Sequence, residues 1–265
     1  SKPKKVPPTY TGKRSIIILL IVWAGTYSPV FAQMGLPFFQ NFTSQDYLAH
    51  NRNFDVVCDS SGIAYFANFE GIIYFNGAEW NKILTPGISR ITRLHADSNN
   101  HIWAGGHNYI GKIPASTNGS PVLETFISDD IKGKNNIRIG EVIRITEKGD
   151  SLLFYTQQYK ISIRDDSISS IENFSVKNIE TISDKPLQLS KQLQVIINGT
   201  AGLSFLDKDG KKLFSMSEAN GLCSNTINRI ATDNQGSLWG ATDNGIFRIN
   251  TPSFYTHFTS GEGLR

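Results

Sequence analysis

Ile230-Ala231-Thr232-Asp233-Asn234-Gln235-Gly236-Ser237-Leu238-Trp239-Gly240-Ala241-Thr242-Asp243-Asn244-Gly245-Ile246-Phe247-Arg248-Ile249 is the clearest copy of a pattern that recurs through this 265-residue chain. The copies superpose on the glycine that opens the last apolar run: Gly71, Gly111, Gly202 and Gly245, with Lys160 holding the place in one copy. The intervals are 40, 49, 42 and 43 residues. Six residues upstream lies a large apolar side chain, Tyr65, Phe154, Ile196 or Trp239, while Trp103 stands eight before Gly111. Further upstream come polar tetrapeptides, Asp59-Ser60-Ser61-Gly62, Asp97-Ser98-Asn99-Asn100, Glu147-Lys148-Gly149-Asp150 and Asp233-Asn234-Gln235-Gly236. Asp and Asn bond their own backbone and Gly or Asn accepts positive φ, so each tetrapeptide reads as a hairpin turn.

Each unit then reads strand, polar turn, strand, small-residue turn, strand, turn, outer strand. In the last copy these are Thr226 to Ala231, Leu238 to Thr242, Ile246 to Asn250 and Phe254 to Phe258. Four antiparallel strands in about 40 residues is the arithmetic of a β-propeller blade. An all-β sandwich is the plainer alternative, because short strands at about 8 to 12 residue spacing fit it too. The expected fold is all-β: a propeller of four-stranded antiparallel blades, with about five blades at 53–84, 88–127, 142–174, 186–216 and 226–258. Tyr65, Gly71, Trp103, Gly111, Gly202, Asp233, Gly236, Trp239 and Gly245 are its structural repeat positions.

The ends of the chain carry separate information. Lys2, Lys4, Lys5, Lys13 and Arg14 precede an apolar run from Ile16 to Gly25, followed by Ser28-Pro29-Val30-Phe31-Ala32. This is the order of a secretory signal peptide over residues 1–32, cleaved after Ala32, which implies export to the periplasm. About ten apolar residues are too few to cross a bilayer, which needs about 20. Removing five basic and no acidic residues takes the formal net charge from +3 to −2. A nucleic-acid partner is therefore not expected. Cys58 and Cys223 occupy different repeat positions, and nothing in their spacing demands a disulfide.

Residues 38–44, Phe-Phe-Gln-Asn-Phe-Thr-Ser, resemble Phe254-Tyr255-Thr256-His257-Phe258-Thr259-Ser260, the outer strand assigned to the last blade. An outer strand thus precedes every inner one, and with the last blade already complete it is expected to finish a blade beyond the chain. Glu262-Gly263-Leu264-Arg265 repeats the linker Asn220-Gly221-Leu222-Cys223 at an interval of 42 residues. The reading is an incomplete ring of the seven-bladed type, an open arc with an exposed sheet edge, whose partners include further repeats of the same full-length chain.

Gly221-Leu222-Cys223-Ser224-Asn225-Thr226-Ile227-Asn228-Arg229-Ile230, followed by Asp233, Gly236, Leu238-Trp239, Thr242, Gly245-Ile246 and Arg248, resembles the two-component regulator propeller repeat. Gly35-Leu36-Pro37-Phe38 through Gly71 to Trp80 resembles the first blade of such sensors in Bacteroidetes. The likeness spans roughly residues 35 to 265 and is weak between about 114 and 192, where Lys160 replaces the glycine. It implies a periplasmic sensor whose propellers detect extracellular signals, often oligosaccharides, and relay them across the membrane to a histidine kinase or a transcriptional output. A homodimer through the full ectodomain would fit such a sensor.

The residues themselves offer little chemistry. His95, His101 and His107 fall on a strand, in a turn and in a loop, without the short Cys or His pairs of a metal site, so neither metal nor other cofactor is expected. Thr232 to Trp239 resembles an Asp-box, but there the aspartate forms a turn. Glycoside hydrolysis needs two carboxylates about 5 to 10 Å apart, and no such constellation stands out, so this chain is not expected to be an enzyme. Trp80, Trp103 and Trp239 read as packing between blades. Function then falls to the loops between second and third strands and to the linkers, which share one face around the central channel. The ligand-contacting candidates are Asn68, Phe69 and Glu70; His107, Asn108 and Tyr109; Gln158 and Tyr159; and Asp243 and Asn244. A ligand-sensing ectodomain and a non-catalytic protein-interaction scaffold are the two classes left open.

Overall fold

The computed structural model describes residue 3 and residues 36–85, 90–115, 121–127, 138–175, 185–251 and 256–257. The signal-peptide reading and the terminal linker lie outside them. The described strands form five four-stranded antiparallel sheets and one two-stranded ladder, Leu36–Pro37 with Thr256–His257. Blade one is Asn53–Cys58, Ala64–Asn68, Gly71–Phe75 and Trp80–Ile83. Blade two is Ile91–Ala96, Ile102–Gly106, Tyr109–Ile113 and Glu124–Ile127. Blade three is Val142–Lys148, Ser151–Thr156, Tyr159–Arg164 and Ser167–Asn173, and blade four Leu187–Ser190, Leu193–Ile197, Leu203–Asp207 and Lys212–Met216. The fold is a β-propeller of five blades.

Blade five corrects the expectation for the leading strand. Its first three strands are Ile227–Thr232, Leu238–Thr242 and Gly245–Ile249, and its fourth is Phe39–Phe42, paired residue for residue with Ile249 to Ile246. The strand thought to serve a blade beyond the chain closes the last blade within it, and Thr256–His257 belongs to a separate two-stranded ladder. The reason is packing. Phe42 stacks on Trp239 at 5.9 Å, meets Trp80 edge-on at 5.1 Å and lies 5.9 Å from Phe75, a cluster that exists only where blade five meets blade one. The same strand docks on the incoming linker: Asn41 Nδ2 donates to the Gly221 carbonyl at 2.7 Å. A Cβ at Gly221, whose φ is +111°, would lie 2.4 Å from the Phe39 ring, so only glycine fits there. The outer edge of Gly245–Ile249 is thereby covered.

The Asp-led turns form as their chemistry requires. Asp97 Oδ1 accepts from the backbone N–H of Asn99 and His101, and Asp233 Oδ1 from Gln235 and Ser237. The second oxygen of each takes the indole N–H six residues on, Trp103 at 2.8 Å and Trp239 at 3.0 Å. One aspartate thus closes a hairpin and satisfies a buried donor whose ring fills the space to the next blade.

The phase of the repeat shifts in blade two. Tyr109 pairs with Gly106 as Gly71 pairs with Asn68 and Gly245 with Thr242. The turn position is therefore Tyr109 and not Gly111, which restores Trp103 to six residues before it. Gly111 is required for another reason: a Cβ there would meet the Tyr109 hydroxyl at 2.3 Å.

Four inner strands are bulged near their start, between Asn53 and Asp55, Ile91 and Arg93, Val142 and Arg144, and Ile227 and Arg229. A bulge re-aims the residues after it, and here they stitch neighbouring blades. Arg229 Nε reaches Asp55 at 3.2 Å, Leu94 N–H donates to the other Asp55 oxygen at 3.1 Å, and Arg93 Nε donates to the Ile143 carbonyl at 2.7 Å. Burial pushes the Asp55 carboxyl above its usual range, more than Arg229 and the Leu94 N–H pull it down.

Candidate functional site

The loops between second and third strands gather on one face with the inter-blade linkers, and three of their turns are built by one device. In blades one, three and five the last residue of the second strand is polar and fully buried: Asn68, Thr156 and Thr242. Asn68 Oδ1 accepts from Glu70 N–H, Thr156 Oγ1 from the N–H of Gln158 and Tyr159, and Thr242 Oγ1 from Asn244 N–H. This fixes the following two residues outward, as a rigid scaffold must if loops are to recognise anything.

Between blades five and one, the linker His50-Asn51-Arg52-Asn53 is pinned by such groups. Asn68 Nδ2 donates to the His50 carbonyl at 2.6 Å, Gly245 N–H to the Asn51 carbonyl at 2.8 Å and Asn51 Nδ2 to Asn244 Oδ1 at 3.2 Å. Arg52 Nε meets Asp243 Oδ1 at 3.0 Å, and the same oxygen takes Asn228 Nδ2 at 2.8 Å. His50 packs against the exposed Phe69 in a tilted arrangement, 4.8 Å between ring centroids. A cavity of about 610 Å³ opens here, lined by Asn41, Thr43, Ser44, Ala49, His50, Asn51, Cys223, Asn244 and Gly245.

A second cavity, of about 290 Å³, lies between blades two and three and is lined by His107, Asn108, Arg138, Ile139, Gly140, Glu141, Gln157 and Gln158. Asn108 and Gly140 exchange hydrogen bonds, Asn108 N–H to the Gly140 carbonyl and Gly140 N–H to Asn108 Oδ1, both at 2.8 Å. Arg90 pairs with Glu141 beside it. The first cavity is neutral and the second charged, so they suit different ligands.

The structure separates the sequence candidates. His107, Asn108 and Gln158 meet in the smaller cavity and Asn244 lines the larger, with Asp243 bound to Arg52 at its edge. Phe69 is exposed, and Glu70 is held by Lys82. Asn68 and Tyr109 do not reach the face. Asn68 is fully buried as a turn cap, and Tyr109 is a core residue whose hydroxyl meets Thr125 Oγ1 at 3.3 Å and whose pKa burial pushes up to about 12. Tyr159 is half-buried and does not line the smaller cavity. Sequence reasoning missed Asn41, Thr43, Ser44, His50, Asn51, Arg138 and Glu141. Their only signal was membership of linkers or of the leading strand, whose partner blade was misassigned. Among the described residues no group of His, Cys, Asp and Glu is placed to hold a metal ion, and no helix is long and apolar enough to cross a membrane.

Comparison with family models and with curated proteins gave no match. Among solved structures the chain is similar to an extracellular domain from B. thetaiotaomicron described as that of a hybrid two-component system, at 15% identity and a TM-score of 0.42 over 85% of this chain and 32% of that one. It is similar also to the WD40 β-propeller domain of Doa1, at 11% identity and a TM-score of 0.47 over 81% of this chain and 96% of that one. A streptogramin B lyase is similar at 13% identity and a TM-score of 0.41, over 82% of this chain and 74% of that one. The chain spans about a third of the length of the B. thetaiotaomicron ectodomain.

Proposed function

We propose that this chain is the extracytoplasmic, ligand-sensing propeller of a transmembrane two-component signalling protein, and that its ligand is an oligosaccharide or a similar nutrient. The observation that carries the reading is the loop face, which presents two cavities, one lined by amides, hydroxyls and an imidazole and the other by amides, an imidazole, Arg138 and Glu141. Such groups, convergent and few on a preformed scaffold, are what recognition of a polar small molecule requires. The resemblance of Gly221 to Arg248 to the regulator propeller repeat and the basic, apolar, small-residue order of residues 1–32 support the signalling and export parts of the reading.

Perturbed carboxylates support binding over catalysis. Asp55 and Asp97 are the described carboxylates whose shifts have buried causes, and each is committed to a structural role, Asp55 to Arg229 and Asp97 to Trp103 and His101. The test is calorimetric titration and thermal shift of the full-length ectodomain against a panel of oligosaccharides. Saturable binding by one class supports the sensor. No heat and no shift with any glycan would sink it and leave the propeller as an interaction scaffold.

A further inference from the structure

Successive blades meet face to face, and strand pairing fixes which side chains look toward the next blade. In blade one these are Tyr65 with Tyr74 and Ala67 with Ile72, all buried in one apolar cluster with residues of blade two. In blade five Trp239, Ala241 and Ile246 fill the same places against blade one. In blade three the places fall to Leu153 with Ser162 and to Tyr155 with Lys160. Leu153 is 9% exposed, but Tyr155, Lys160 and Ser162 are only half-buried, and Lys160 pairs with Glu172 of its own blade at 3.1 Å. A seam that buries one leucine withdraws far less apolar surface from water than one that buries two tyrosines and an isoleucine.

The polar stitch fails at the same seam. Behind the bulge of its inner strand, Arg229 of blade five reaches Asp55 of blade one at 3.2 Å, and Arg93 of blade two reaches the Ile143 carbonyl of blade three at 2.7 Å. Arg144 holds that position in blade three, pairing with Tyr155 as Arg229 pairs with Ala241 and Arg93 with Gly105. Its Nε is buried and has no hydrogen-bond partner. A buried donor left unmet is unfavourable, so the group that tightens two other seams does not tighten this one. The first strands of blades five and one, one and two, and two and three lie against each other, and those of four and five touch; among the described residues no strand of blade three meets a strand of blade four in this way. Blade four shows the same asymmetry: Val195, Leu203 and Phe205 on one face are fully buried, while Gln194, Ile196 and Leu206 on the other are half-buried.

We infer that the propeller is a clasp that parts between blades three and four, while blades four, five, one, two and three stay joined in that order. Phe42 seals blade five to blade one, which leaves the weakest seam in mid-chain. The two loop cavities lie at the seams five–one and two–three, so their walls stay together when the ring parts. Opening of the ring and occupancy of those cavities are therefore separate events.

The experiment is native-state labelling of the full chain with N-ethylmaleimide, mapped by peptide mass spectrometry, in variants that place a cysteine on either face of one strand. Leu153→Cys looks into the seam between blades three and four. Phe154→Cys, the next residue, looks toward Trp103 of blade two, whose ring lies 5.9 Å from that of Phe154. Leu153→Cys is expected to label at least about tenfold faster, with a urea dependence above zero but below that of global unfolding, the mark of a sub-global opening. Ala104→Cys, fully buried between blades one and two, is the control if Phe154→Cys does not fold. Equal rates for Leu153→Cys and its control overturn the inference, as does labelling of Leu153→Cys with no urea dependence or with that of unfolding. Arg144→Met is expected to leave the melting temperature within about 2 °C, whereas Arg229→Met, which strands Asp55, is expected to lower it by more than about 5 °C. A fall with Arg144→Met as large as with Arg229→Met would show that Arg144 holds blade four, and the inference would fail.

Discussion

Replacing Phe42 by alanine removes the ring through which the leading strand grips the seam between blades five and one. The ring is 7% exposed and meets Trp80, Trp239 and Phe75 at centroid distances of 5.1, 5.9 and 5.9 Å. Truncating a buried Phe costs about 3–5 kcal/mol. Phe42 ends its strand beside the exposed Thr43, where the surroundings can partly collapse, so about 3 kcal/mol is expected. For a chain of this size each kcal/mol is worth about 2–4 °C, which puts the fall in melting temperature near 6–12 °C. The control is Phe38→Ala, whose ring is 47% exposed and whose loss should stay within about 0.5 kcal/mol. Urea unfolding followed by tryptophan fluorescence reads both, since Trp80 and Trp239 are the rings that Phe42 touches. If Phe42→Ala costs less than about 1 kcal/mol, or no more than Phe38→Ala, the leading strand does not complete blade five and the closure argument fails.

Two buried aspartates should tilt the pH dependence of stability in opposite senses. Asp55 is held above its usual pKa by burial, so its contribution is present below the unfolded value near 3.8 and is lost as pH rises through the folded one. The stability gap between wild type and Asp55→Asn should shrink as pH rises. For Asp97, burial raises the pKa but is outweighed by hydrogen bonds from Trp103 Nε1 and from the backbone and ring of His101, which leave it below its usual value. Its contribution is present above about 3.8 and lost on acidification through the folded pKa, so the gap to Asp97→Asn should shrink as pH falls; parallel profiles for the two variants would refute both assignments. Gly240→Ala would set a Cβ 2.0 Å from the Phe247 ring and should cost at least about 1–3 kcal/mol, and a measured cost below about 0.5 kcal/mol in urea unfolding would show that the ring yields freely. Cys58, a free thiol that burial pushes up to about 12, should resist iodoacetamide at pH 8 in the folded chain and react on unfolding, and equal rates by mass spectrometry would contradict its placement.

Much of the fold is legible because its determinants are local. An Asp that bonds the N–H groups two and four residues on and the indole six residues on needs only its own hairpin, so the turns at Asp97 and Asp233 can be read from the sequence alone. The phase of blade two is harder to read. Tyr109 occupies the position that glycine holds in blades one and five, and a glycine two residues later, required by the Tyr109 hydroxyl, mimics the marker. The candidate site is legible only in part for a related reason. Loop residues such as His107, Gln158 and Asn244 announce themselves by position, but whether a polar residue faces outward or caps its own turn depends on the second-strand register, and that turned Asn68 inward.

The sequence by itself determined the all-β class, the four-stranded unit and the number of units, because strand alternation and Asp-Gly turn chemistry act over a few residues. Only the tertiary structure decided which of two similar outer strands enters blade five. Residues 38–44 and 254–258 carry nearly the same pattern, and local propensity cannot rank them. The choice falls to contacts about 200 residues apart in the chain, Phe42 with Trp239 and Asn41 with Gly221, which form only when the last blade lies beside the first. Those contacts also bring Asn41 and Ser44 to Asn244 and Cys223, so the larger cavity is a product of the seam between blades five and one and not of any single repeat.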